Sequence, residues 1–218
     1  MFKAPDSLAE QIASHIAERI IYGELKAKER IQEQKVTQAL DVSRGSVREA
    51  LLILERRHLV VILPRRGAHV AELTPEKVRS LYAIGVELYI LLASAVVDNW
   101  ESEAELKPFE MHKAQLRSAL ERDDIRDFIS GSFNILRATF PFARNPYLQQ
   151  IIEDLVPAVT RTYYLSLEKR KGEMHKFFAT FDSLLQAMVS RDKQAIRQLL
   201  LSYAEHNCQL VLAALEDS

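Results

Sequence analysis

The chain has 218 residues, 29 Lys and Arg against 30 Asp and Glu for a net charge of -1, and 48% hydrophobic content. That is the composition of a globular protein of one or two domains, and its single cysteine, Cys208, excludes a disulfide framework. Only 6 Gly and 7 Pro leave too few turns for a sandwich or barrel, no apolar run approaches the ~20 residues of a membrane span, and no leader is evident; a mostly α, cytoplasmic protein with no membrane partner is predicted.

Ser7 followed by Glu10 has the form of a capping box, and Leu8, Ile12, Ile16 and Ile20 recur every fourth residue, so a first helix is predicted over about 8–22, ending at Gly23. A short helix over about 33–40 leads into the turn Asp41-Val42-Ser43, where Ser43 is the natural N-cap of a third helix over about 44–57. Val47, Leu51 and Leu54 form the buried face of that helix, which leaves Arg44, Gly45, Ser46 and Arg48 exposed at its start. His58 closes it where a small residue is expected. Leu59–Leu63 and Ala68–Ala71 are β-prone runs separated by Pro64-Arg65-Arg66-Gly67, which suits a hairpin and is the only sheet the sequence suggests.

Thr74 and Pro75 mark the start of a further helix, and the domain boundary falls near Leu73. Segments over about 75–99, 102–121, 124–143, 146–169, 173–190 and 192–216 predict an all-α bundle of about six helices. Pro157 is expected to kink or split the fourth and Pro141 to disturb the end of the third. The predicted organisation is an N-terminal domain over 1–72, a linker over 73–78 and a helical domain over 79–218.

The near-neutral total conceals an uneven distribution. Residues 1–72 carry 12 basic and 10 acidic side chains, and within 42–72 six Arg face three acids. An anionic partner would dock there. Two short helices joined by a tight turn, with arginines on the first turn of the second, form a helix-turn-helix, and the hairpin makes it winged. In that arrangement Arg44 and Arg48 point at phosphates or guanine edges, small Gly45 and Ser46 let the backbone approach closely, and Arg65, Arg66 and Gly67 at the hairpin tip enter a minor groove or grip phosphate.

The string Val42-Ser-Arg-Gly-Ser-Val-Arg-Glu-Ala-Leu51, then Leu54-Glu55, Leu59-Val60 and Pro64-Arg-Arg-Gly-Ala68, closely resembles the winged helix-turn-helix of the GntR family of bacterial transcription regulators. The helical remainder, with Leu81-Tyr82, Asn145-Pro146-Tyr147-Leu148 and a last helix after Arg191-Asp192, is similar to the effector (FCD-type) domain of the FadR-like branch. The resemblance implies a homodimer on a palindromic double-stranded DNA operator, its affinity altered by a small-molecule effector in the helical domain. By position it makes Arg44 and Arg48 the recognition-helix arginines, places Lys35 on the preceding helix and makes Gly67 the wing glycine. The chain departs from the family at Asp41 and His58, which stand where glycines are common.

Many members of this branch hold a divalent metal with one Asp and three His. The matching positions here are Ser132, Leu136, Phe181 and Tyr203, so no metal and no cofactor is expected, although His112, His175 and His206 leave a scattered alternative site conceivable. An apolar cavity with few polar anchors is expected instead, with Arg161 and Asn207 as polar contacts and an acyl or aromatic acid as effector. The resemblance also expects an Arg where Gly85 stands, which weakens the case for a small anionic effector. Two alternatives remain open: an architectural DNA-binding protein without effector control, and a metal-dependent carboxylate sensor. No catalytic grouping is evident, and Cys208 lies in an amphipathic helix where a buried small hydrophobe is commoner than a nucleophile.

Overall fold

The computed structural model describes residues 7–216. Among them the elements run α1 (Leu8–Ile21), α2 (Glu33–Leu40), α3 (Arg44–Arg56), β1 (Val60–Leu63), β2 (Gly67–Val70), α4 (Pro75–Asn99), α5 (Glu103–Glu121), α6 (Ile125–Ala138), α7 (Phe140–Ala143), α8 (Pro146–Lys169), α9 (Glu173–Val189) and α10 (Lys193–Glu216). They form two compact units. One reaches to Leu73 and includes Asp154–Arg161; the other takes Thr74–Glu153 and continues from Thr162.

In the first unit the Ser7 hydroxyl accepts from the Glu10 amide at 3.2 Å, and the four-residue spacing of Ile12, Ile16 and Ile20 buries all three against α3. The Glu10 carboxylate accepts from Arg57 Nη2 at 2.7 Å. Each fully buried Ile or Leu here contributes about 1.5–3 kcal/mol by leaving water, and Val47, Ala50, Leu51 and Leu54 of α3 join the same core. The turn between α2 and α3 depends on Asp41, left-handed at φ 52°, which lets the Val42 amide reach the Thr37 carbonyl at 3.2 Å. Ser43 then caps α3 by accepting from the Ser46 amide at 3.0 Å.

The end of α3 is a Schellman motif: the His58 amide donates to the Glu55 carbonyl and the Leu59 amide to the Leu54 carbonyl, both at 3.0 Å, with His58 at φ 58°. β1 and β2 pair antiparallel in the register Val60↔Val70 to Leu63↔Gly67. Their three-residue connection has Pro64 followed by Arg65 at φ 61°, and the Arg66 amide closes it on the Leu63 carbonyl at 3.1 Å. Among the described residues the hairpin is the whole sheet, two-stranded as the sequence reading expects, with one isolated bridge beside it. Residues 28–31 run along β2, with Lys28 N to Val70 O at 3.0 Å, Val70 N to Glu29 O at 2.9 Å and Ile31 N to Ala68 O at 2.9 Å. That segment meets β2 through an isolated bridge at Arg30, with Lys28 left-handed at φ 66°, and it lacks the apolar alternation by which a strand is recognised.

In the helical unit α4 starts on Thr74, whose hydroxyl accepts from the Lys77 amide at 3.3 Å, with Pro75 at the first helical position. Residues 75–78 are therefore the first turn of α4 and not linker, and Val78 is fully buried. By length and composition α4 is apolar enough to cross a membrane. Its Val78, Val86, Ile90, Leu92, Ala93, Val96 and Val97 are buried, as in a core helix. The end of α4 is tied down by Arg191, which donates to the Val97 and Trp100 carbonyls at 2.7 and 2.8 Å and lies over the Trp100 ring at 4.2 Å. A cation there complements the negative end of the helix.

The third predicted helix divides into α6 and α7 two residues before Pro141, since that ring cannot follow a continuous ladder. Pro157, by contrast, does not split α8, which runs unbroken from its cap at Asn145; the apolar residues Ile152, Val156, Ala158 and Val159 around it are buried. Packing of that face outweighs one missing amide bond.

Candidate nucleic-acid interface and effector site

The buried face of α3 fixes what its opposite face shows. Val47, Ala50, Leu51 and Leu54 point into the core, so Arg44, Gly45 and Arg48 are exposed while Ser46 is half-buried and hydrogen-bonded to Ser43 Oγ at 2.9 Å. Lys35 is exposed on α2. Arg48 is not idle: its Nε donates to Glu33 Oε2 at 3.0 Å, although the Arg48 side chain is 70% exposed. An exposed pair of this kind is worth ~0–1 kcal/mol, little enough for a phosphate or guanine to displace.

At the hairpin tip Arg65 and Arg66 are exposed and Gly67 takes φ 82°. Sequence reasoning missed Arg30. Residues 28–31 run beside β2, and the Arg30 guanidinium sits 3.8 Å from where a Cβ on Gly67 would be, adding a third cation to the wing. Its signal, a lone arginine in a loop, is too weak to find without the pairing.

In the helical unit Phe181, Tyr203 and Asn207 come together. The Phe181 and Tyr203 rings are 5.8 Å apart, and Asn207 Nδ2 donates to the Tyr163 hydroxyl at 3.3 Å. Tyr163 and Phe177 complete an aromatic cluster, with Tyr163–Phe177 and Phe177–Tyr203 centroids both 5.4 Å apart. Neither was foreseen, because aromatic spacing on a helix reads equally well as plain core. Ser132 is buried on α6 beside Phe133, whose ring is 6.2 Å from that of Tyr163. Leu136 lies one turn further along α6, half-buried.

Arg161 is buried, and its Nη1 donates to the Ala71 carbonyl at 2.6 Å. Burial lowers its pKa to about 10.

The four positions at which the resemblance expects metal ligands do not suit an ion. Leu136 and Phe181 have no donor atom, the Ser132 hydroxyl is spent on the Phe128 carbonyl at 2.9 Å, and burial raises the Tyr203 phenol well above its ordinary range, so it stays protonated. Among the described residues no group of three His, Cys, Asp or Glu is placed to hold a metal. His206 is engaged elsewhere, its Nε2 2.7 Å from Glu173 Oε2.

A winged helix-turn-helix with arginines on the exposed start of its second helix, followed by an all-helical unit, defines a DNA-binding transcriptional regulator with a sensory domain. Residues 8–70 match the family described as bacterial regulatory proteins, gntR family, and residues 86–206 match the FCD domain; the chain belongs to the GntR family of regulators that carry an FCD effector-binding domain. It is similar to the HTH-type transcriptional regulator YdhC of Bacillus subtilis, 24% identical over 95% of this chain and 92% of the relative. It is 23% identical to the HTH-type transcriptional regulator McbR of Escherichia coli, over 94% and 93% of the two chains.

The solved structure of E. coli McbR/YncC superposes with a TM-score of 0.80 over 95% of this chain and 98% of that one, at 22% identity. A putative GntR regulator from Rhodococcus sp. RHA1 gives 0.75 over 95% and 99%, at 19% identity. The matched families and relatives are transcriptional regulators, and this chain is one too, not an enzyme.

Proposed function

We propose that the chain acts in the cytoplasm as a homodimer on a palindromic double-stranded operator, with α3 in the major groove and the hairpin on the adjacent backbone or minor groove. Arg44, Gly45, Ser46 and Arg48 read the operator, Lys35 holds phosphate from α2, and Arg65, Arg66 and Gly67 grip at the wing. The observation that carries this reading is the division of α3 into a fully buried apolar face and an exposed face bearing Arg44 and Arg48. Ile84 and Leu91, seven residues apart on α4 and each about half exposed, suit an apolar contact with a second copy.

Around Phe181, Tyr203 and Asn207 the helical unit binds a hydrophobic or aromatic effector without a metal, and binding shifts operator affinity. Fluorescence anisotropy on fragments of the protein's own promoter region tests the DNA reading. Sequence-specific binding is expected, steeply weakened by salt as phosphate contacts release counterions. Equal binding to all sequences would instead make the protein architectural. Sedimentation analysis checks the dimer.

A further inference from the structure

Gly85 is buried on the face that α4 turns inward, yet a Cβ built on it would meet no atom within 4 Å. Interiors are ordinarily filled to the density of organic crystals, so a buried helical glycine beside open space marks a place where packing is incomplete. Tyr82, three residues before, and Tyr89, four after, share its face of the helix. They flank Gly85 on the helix, and the Tyr82 phenol is hydrogen-bonded to Thr162 Oγ1 at 3.1 Å.

From α10, Tyr203 and Asn207 are one turn apart, and the Tyr203 hydroxyl and Asn207 Oδ1 are buried without a hydrogen-bond partner. Burial raises the pKa of Tyr203, the Asn207 side chain beside it acts against that rise, and the phenols of Tyr82 and Tyr89 add to it. Because α4 packs against α10, the open space beside Gly85 and the two unsatisfied atoms belong to one helix-helix contact. In native interiors such atoms are few, and each points to something that completes it.

We propose that the effector occupies this space between Gly85, Tyr82, Tyr89, Tyr203 and Asn207, and that it is an uncharged aromatic molecule bearing an O–H or N–H donor. The proposal rests on the reading of the helical unit as the effector site and narrows the ligand class within it. Asn207 gives its amide N–H to Tyr163, so its orphaned oxygen calls for a donor from the ligand. The Tyr203 hydroxyl can give or accept one further bond without carrying charge.

Among the described residues, none of the buried polar side chains of this unit is charged. The buried polar residues of this unit are Ser132, Thr139, Thr162, Ser166 and Asn207, all neutral, while buried Arg161 serves Ala71 in the other. A carboxylate would be stripped of water among them, which favours a neutral ligand over the acyl or aromatic acid expected from the sequence. The tilted and edge-to-face rings of Tyr163, Phe177, Phe181 and Tyr203 offer the packing a further ring prefers.

The test is calorimetric and thermal-shift titration of the full-length protein with three probes: 4-methylphenol, isosteric 4-fluorotoluene that lacks the donor, and anionic 4-methylbenzoate. 4-Methylphenol is expected to raise the Tm and to bind at least ~10-fold more tightly than either comparison, since an unpaired buried acceptor penalises the analogue. Gly85→Leu is expected to abolish that binding while leaving the Tm unchanged or higher, because leucine fills open space and is a better helix former than glycine. Should Gly85→Leu fail to fold, Gly85→Ala takes its place, with weakened binding expected.

Tighter binding of 4-methylbenzoate, lost in Gly85→Leu, would overturn the neutral class while leaving the effector site standing. Binding of 4-methylphenol that ignores Gly85→Leu would overturn the location. No heat and no Tm shift from any probe at millimolar concentration, in protein that still binds DNA, would overturn both the proposal and the effector reading.

Discussion

Replacing His58 by glycine should stabilise the winged unit. His58 sits in the αL position of the Schellman motif at φ 58°, and its exposed side chain makes no hydrogen bond, so only backbone conformation is at stake. A left-handed non-glycine residue costs roughly 1–2 kcal/mol. Glycine removes that cost but gives the unfolded chain more freedom, an opposing effect of about 0.4–1 kcal/mol.

The net expectation for His58→Gly is a gain of about 0.5–1 kcal/mol, seen as a rise in melting temperature of ~2–4 °C by calorimetry. His58→Ala is the control: alanine keeps the left-handed strain and should lie within ~0.5 kcal/mol of the parent. The Leu59-to-Leu54 and His58-to-Glu55 backbone bonds are unchanged in both variants. If His58→Gly melted no higher than His58→Ala, or lower than the parent, the strain argument would be refuted.

Arg48→Ala should weaken operator binding by about 1–3 kcal/mol and relax sequence preference if Arg48 reads a guanine, whereas a uniform loss across sequences would make it a phosphate contact; anisotropy on operator and scrambled duplexes separates the two. Glu33→Gln frees Arg48 from its 3.0 Å partner and removes a negative charge beside the recognition helix, so operator affinity at moderate salt should rise by up to ~5-fold, from a pair worth ~0–1 kcal/mol; unchanged or lower affinity would place Arg48 away from DNA. Burial acts to raise the pKa of Glu173, but its bonds to His206 and Lys176 prevail and the carboxyl ends below the usual glutamate range. Because the folded pKa is depressed, the associated stability is present above the unfolded glutamate pKa and lost as pH falls through the folded one. Denaturation profiles should therefore show a smaller acid-side loss in Glu173→Gln than in the parent, and parallel profiles would contradict the assignment.

Much of the first unit was legible from local chemistry. Ser43 caps α3 whatever surrounds it, the four-residue repeat of Ile12, Ile16 and Ile20 selects a helix and its buried side together, and Pro64 to Gly67 defines a tight turn between two β-prone runs. Thr74 with Pro75 likewise begins α4 on covalent grounds alone. Wherever tertiary packing decided the outcome, the sequence was silent or misleading. Residues 28–31 bond to β2 through an isolated bridge only because β2 presents amides and carbonyls beside them, and that bonding brings Arg30 to the wing.

Pro157 breaks a helix in isolation, yet α8 continues through it on the strength of its buried face. Arg161 has the chemistry of an effector anchor, and only the fold shows it buried with its guanidinium on the Ala71 carbonyl. The space beside Gly85 and the two orphaned atoms on α10 are properties of how four helices meet. Residue type sets which groups need a partner, but only the assembled backbone determines which of them find one.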